Sequence, residues 1–379
     1  MRRMIGGLAG LAAIGLAVSM PAMANMPAGT IPAFNQAVQS GDAAVIVAAA
    51  RQFGATAIAH PEDPQAAVAA FEAANQLCLR GACAEAVPMA DFAATRAAAL
   101  PVTPEQAEIL QAYARWSSGR KNGDDDAAFE DVLRRDVADP PSLLSAAAYE
   151  AFYLDVSHST DWGTVLSRAS LAAEHLRPAR DALAARWATA ELLSATADYN
   201  YRESIGALEK IGDLELWLYD KQTGDETNRI DRLYYETWAW RAALAAAFRS
   251  FDHMNLMRAR KVELHVEEAK RMNRKMFWRE GPRREPLCSG RIVERPDVDY
   301  PTWAAKRGYV GAVLVAFDFA EGKPGNFRVV GSVPGNDFDR EALESMQSVR
   351  WEFDAKQANP SCSRSSDTPS LYAITFIMR

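Results

Sequence analysis

Between about Pro32 and Phe277, apolar residues recur every third or fourth position on stretches rich in Ala, Leu, Glu and Arg. That period, carried by strong helix formers, predicts helix after helix. Leu233, Trp240, Leu244, Phe248 and Phe251 lie on one stripe, with Thr237 filling the remaining turn, and Ile205, Leu208 and Ile211 begin another. Predicted breaks fall at Gly41-Asp42, Pro61-Glu62-Asp63-Pro64, Pro101 to Pro104, Gly119 to Asp126, Pro140-Pro141, Gly212-Asp213 and Thr223-Gly224-Asp225. No stretch of this region predicts a strand. After Gly281-Pro282 the pattern changes. Asp299 to Gly308 predicts a short helix, with Pro301 in its first turn and Gly308 as its stop. Val310 to Phe319 alternates, with Val313, Val315, Phe317 and Phe319 on one face and Ala312, Leu314, Ala316 and Asp318 on the other. Glu321 to Asn326 predicts a hairpin loop, and Phe327 to Val333 the returning strand. Gly335-Asn336-Asp337 opens a helix whose positions Phe338, Ala342, Met346 and Val349 share a face. Leu371 to Met378 predicts a last strand, with Tyr372, Ile374, Phe376 and Met378 on one side. The fold class expected is mainly α, followed by a small α+β domain with helices over one face of an antiparallel sheet.

The helical region hints at repetition. Tyr113, Tyr149 and Trp187 are 36 and 38 residues apart, with Trp238 further on. Ala67, Phe71 and Ala74 have the small-aromatic-small spacing of the second helix of a tetratricopeptide repeat, where small residues let paired helices approach. The expectation is an irregular helical-hairpin array over 25–280, similar to a tetratricopeptide solenoid, with a compact helical bundle as the alternative. A linker at 281–294 and a separate domain at 295–379 follow.

The first 24 residues predict a secretory signal: Arg2 and Arg3, an apolar run from Ile5 to Val18, then Ala22 and Ala24 as the small residues of a cleavage site, leaving Asn25 first. The apolar run is short for a membrane span. An export signal places the four cysteines in an oxidising compartment. Three pairings exist, of which Cys78–Cys83 with Cys288–Cys362 is favoured because each pair stays within one segment. His60 is the single histidine near the first pair, which makes a zinc site there a poor match.

The formal charge of -7 argues against a nucleic-acid partner, whose binding rests on neutralised phosphates. Lys270, Arg271, Arg274, Lys275, Arg279, Arg283 and Arg284 form a basic run, read first as a solvated helix end and second as a contact for an acidic surface or anionic lipid. Signals of catalysis are missing. The histidines, His60, His158, His175, His253 and His265, are scattered. Gly119-Arg120-Lys121-Asn122-Gly123 lacks the ending of a phosphate loop, and Asp124-Asp125-Asp126 suits a helix start better than a calcium loop. No nucleophile elbow occurs. The expectation is a non-enzyme without catalytic, cofactor or metal residues.

The last eighty or so residues carry a resemblance. Tyr300-Pro301, Ala304, Gly308, Gly311, Val313, Val315 and Phe317, then Gly322, Val329-Val330, Ser332, Phe338-Asp339-Arg340-Glu341-Ala342 and Val349-Arg350-Trp351 with Phe353, resemble the TonB C-terminal domain. The resemblance implies a periplasmic module that binds an outer-membrane receptor by pairing with its extended TonB-box peptide, or binds another envelope protein, in the service of transport across the outer membrane. It also implies the partner-binding edge: Leu371, Tyr372, Ala373, Ile374, Thr375, Phe376, Ile377 and Met378, helped by the segment before Tyr300. Three departures stand out. No His precedes His60, no long Pro-rich spacer is present, and Asp354 follows Phe353 where the family usually has Pro. The alternatives are a membrane-anchored energy transducer, with an uncleaved first helix reaching an inner-membrane motor complex, and a cell-envelope scaffold without a transport role.

Overall fold

In the computed structural model the described residues are 26–119, 123–136, 138–225, 227–250, 288, 290–294, 298, 300–302, 304, 310–353 and 366–377. The expected signal segment, the basic run and Gly281-Pro282 lie outside them. The chain divides into two compact units at Ala151–Phe152.

The first unit holds α1 (Thr30–Ser40), α2 (Ala43–Ala59), α3 (Ala66–Leu79), α4 (Val87–Ala94), α5 (Pro104–Gly119), α6 (Gly123–Arg135) and the start of α7 (Leu143–Asp155). From α1 to α6 each helix packs on the next. Asp42 caps α2, its carboxylate accepting from the Ala44 and Val45 amides. The Ala-rich faces make close approach feasible, and Ala67, Phe71 and Ala74 are all buried in α3. Cys78 and Cys83 form a disulfide where α3 ends. Further along, Tyr113 stacks on Phe129 with centroids 5.8 Å apart, and the Trp116 indole donates to Asp126 Oδ1 at 2.7 Å.

The second unit begins in α7 and continues with α8 (Trp162–Leu176), α9 (Ala184–Arg202), α10 (Ile205–Tyr219) and α11 (Arg229–Ser250). The expected stripe is real: Leu233, Thr237, Trp240, Leu244 and Phe248 of α11 are buried, while Phe251 lies outside the described residues. The break expected at Gly212-Asp213 does not occur, because α10 runs straight through it. Burial of Leu208, Ile211, Leu214 and Leu218 along that helix outweighs the roughly 1 kcal/mol by which a lone helical glycine disfavours it.

The strands follow: β1 (Gly290–Glu294), β2 (Gly311–Ala320), β3 (Lys323–Val333), α12 (Asp339–Gln347), β4 (Arg350–Phe353) and β5 (Ser366–Phe376). β1 pairs with β4, and β3-β2-β5 form an antiparallel sheet with β2 in the centre. The β2–β3 hairpin is tighter than expected. Ala320 pairs with Lys323, so the turn is Glu321-Gly322 alone, and both residues take positive φ (50° and 84°) as a two-residue hairpin turn requires. Lys323 to Asn326, expected in the loop, already belong to β3. Of the helix predicted from Asp299 to Gly308, Tyr300, Pro301, Thr302 and Ala304 are described, and Thr302 and Ala304 are helical whereas Tyr300 and Pro301 are not.

A mainly α chain that ends in a small α+β sheet domain is therefore the architecture. One feature of it departs from expectation: the sheet is covered on both faces. On one side Val313, Val315, Phe317, Phe319, Ile374 and Phe376 share a core with Phe338, just ahead of α12, and with Ala342 and Met346 of that helix. On the other side α11 packs across β3, β2 and β5.

Candidate functional site

The candidate edge is built from β5 outward. Its pairing with β2 runs without a shift from Gly311–Phe376 to Phe317–Ser370, which places every residue from Ser370 to Phe376 in regular register. Beyond Ser370 the ladder becomes irregular as far as Ser366. Because side chains alternate, Tyr372, Ile374 and Phe376 face the α12 core, and Leu371, Ala373 and Thr375 face the α11 side. Ile374 and Phe376 are buried, whereas Leu371, Tyr372, Ala373, Thr375 and Ile377 are half-buried. Met378 lies outside the described residues.

The register end of this strand is held by aromatic packing. Phe376 stacks on Phe338 at 4.4 Å, and Tyr300 reaches both rings from the segment before β2, 6.1 Å from Phe338 and 6.4 Å from Phe376. Partial burial raises the Tyr300 hydroxyl pKa, so this ring stays a neutral phenol at any physiological pH. Val298 and Ile292 also pack against the same core. The segment ahead of Tyr300 thus touches the body on which β5 rests.

Among the described residues β5 has β2 as its one strand neighbour, which makes it a border strand of the described sheet. The sheet has a second edge, β3, but that strand is irregular. Its register shifts against β2 between Leu314 and Val315 and again between Ala316 and Asp318, with the additional residues on β3. Bulges of this kind twist an edge and blunt it as a template. Arg328 and Lys323 add charge to it. The regular edge is β5.

Residues 296–370 match the family model described as Gram-negative bacterial TonB protein C-terminal. They form a TonB C-terminal domain. The match ends inside β5, so the candidate stretch from Leu371 onward lies just past it. No curated protein and no solved structure matches the chain. The matched residues account for about a fifth of the sequence.

Other expected site residues are placed as follows. Cys78 and Cys83 are bonded to each other. Cys288 is also disulfide-bonded, and Cys362 lies outside the described residues. Among the described residues no group of three or more His, Cys, Asp or Glu is arranged to hold a metal ion. No described helix is long and apolar enough to cross a membrane.

Sequence reasoning missed the α11 side of the TonB domain. Gly331 of β3, the cross-strand partner of Leu314, lies against the main chain of Tyr235 in α11. A Cβ at Gly331 would sit 2.7 Å from the Tyr235 carbonyl oxygen and 2.8 Å from its carbonyl carbon, closer than any side chain tolerates. The available signal was β2 itself, Gly311-Ala312-Val313-Leu314-Val315-Ala316-Phe317, which is apolar on both of its faces.

Proposed function

We propose that the TonB domain binds an outer-membrane receptor, or another envelope protein, by accepting an extended segment of that partner as an additional strand along β5. The setting proposed is the periplasm, and the role is in transport across the outer membrane. The observation that carries this reading is the regular, one-sided pairing of Ser370 to Phe376 at the border of the sheet. Strand addition draws affinity from main-chain hydrogen bonds and specificity from alternate side chains. Half-buried Leu371, Tyr372, Ala373 and Thr375 supply apolar and hydroxyl-bearing surface on both flanks for that second purpose.

The test is a pair of proline variants in the full chain. On an edge strand, alternate residues turn their N–H and C=O toward the paired strand and the rest turn them outward. Tyr372 and Thr375 belong to opposite sets. Proline removes one donor, which an outward position tolerates and an inward one does not. One of Tyr372→Pro and Thr375→Pro is therefore expected to keep the wild-type circular dichroism spectrum yet lose capture of receptor TonB-box peptides at least tenfold. A folded variant of this pair that binds those peptides at wild-type affinity overturns the reading. Removal of the first 24 residues is part of the proposal, and N-terminal sequencing of the exported protein is expected to begin at Asn25. Retention of Met1 would favour the membrane-anchored transducer instead.

A further inference from the structure

At the central strand β2, the face of the sheet turned away from α12 is as dry as the core face. Ala312, Leu314 and Ala316 are each fully buried, yet they point to the opposite side from Val313, Val315 and Phe317. What covers them is α11, a helix that belongs by sequence to the preceding helical region and that packs on all three strands of the sheet. The approach is close enough to demand glycine at position 331, where the main chain of Tyr235 occupies the space of a side chain.

On its other flank α11 is locked into α9 and α10. Arg241 of α11 forms a buried ion pair with Glu215 of α10, in which Arg241 Nη2 donates to Glu215 Oε1 at 3.2 Å. Tyr199 of α9 packs edge-on against Phe248 at 5.6 Å, and Tyr219 of α10 lies 6.3 Å from Tyr234. One helix is therefore shared between two bodies that the sequence presents as separate. A helix buried all round sits inside a core rather than at the border of one.

We infer that α11 is a resident partner for the second face of the TonB domain. The unit that folds and presents the β5 edge accordingly runs from Phe152 to the end of the sheet, with the helices of that unit as an integral support. A force or displacement applied to β5 passes through β2 to α11, and from α11 to α9 and α10. The second face is thereby closed to other proteins and to a second copy of this domain, and the edge is left as its docking surface. This inference does not depend on what binds β5.

The test cuts the chain between the two bodies. A site-specific protease sequence with flexible flanks is inserted between Gly281 and Pro282 in the full chain, and the cleaved protein is run on a sizing column without denaturant. The bonded Cys78 and Cys83 precede the cut, and Cys288 and Cys362 follow it, so no disulfide joins the fragments. The fragments, separate on a denaturing gel, are expected to co-elute as one species. Elution of the C-terminal fragment alone, with its near-ultraviolet circular dichroism unchanged, would overturn the inference. A second pair of variants locates the contact. Gly331→Val drives a side chain into Tyr235 and is expected to weaken fragment association at least tenfold. Gly325→Val, on the same strand but with nothing within 4 Å of its Cβ position, is expected to leave association within about twofold. Equal association for both variants would overturn the assignment of the contact to α11. Should Gly331→Val fail to fold, the cleavage of the otherwise unaltered chain still decides.

Discussion

Glu215 and Arg241 show what a single residue does in this molecule. Both are buried, and they lie 26 residues apart in sequence, one on α10 and the other on α11. Burial raises the Glu215 pKa, and the facing guanidinium offsets only part of that rise. Removing one partner strands the other without water, which typically destabilises by about 3–5 kcal/mol, whereas replacing both with apolar residues of similar volume is often near neutral. Arg241→Met is therefore expected to lose several kcal/mol in urea unfolding at neutral pH, and Glu215→Leu/Arg241→Met to recover most of it. Equal losses in the single and double variants would show that the pair matters through shape alone. None of this was legible in the sequence. Helical periodicity marks Leu233, Thr237, Trp240 and Leu244 as inward, and it says nothing about which charged residue on a neighbouring helix meets Arg241.

Elements were legible in proportion to how local their causes are. The α12 helix follows from Phe338, Ala342, Met346 and Val349 on one face, all of them buried. β2 was read correctly as a strand, but in a sheet with helices over one face, where the structure covers both. A strand with one solvated face alternates apolar and polar residues, and among Ala312, Leu314, Ala316 and Asp318 the last alone is polar. That composition implies a cover, while the identity of the cover depends on a long-range contact that no local pattern encodes. Gly212 misled for the opposite reason, since a local breaker was overridden by the buried face of α10. Cys78 and Cys83 close a loop of a few residues at the end of α3. Such a short loop restricts the unfolded chain modestly, by about 2 kcal/mol in the chain-entropy picture. Cys78→Ser/Cys83→Ser is thus expected to lower stability by about that amount with helix content preserved. A loss beyond 5 kcal/mol would mean that the bridge holds α3 in place rather than merely limiting the unfolded chain.

At the scale of the whole molecule, among the described residues a TonB C-terminal domain follows a helical region, and its sheet packs against α11, the last described helix of that region. Leu371 to Phe376 was legible as a strand by pattern, although β5 begins five residues earlier, at Ser366, and ends before Ile377; its docking role comes from the resemblance alone. What the pattern could not supply was the comparison with β3, whose register shifts make it the less regular edge, and the presence of α11 behind the sheet. Strand addition at β5 makes a specific demand on backbone hydrogen bonding. Hydrogen–deuterium exchange on the full chain, with and without a receptor TonB-box peptide, tests it most directly. The expected result is new protection at alternate amides between Ser370 and Phe376, those not already bonded to β2, with β3 unchanged. Protection that appears along Lys323 to Val333 instead, or no change at β5 under saturating peptide, would contradict it.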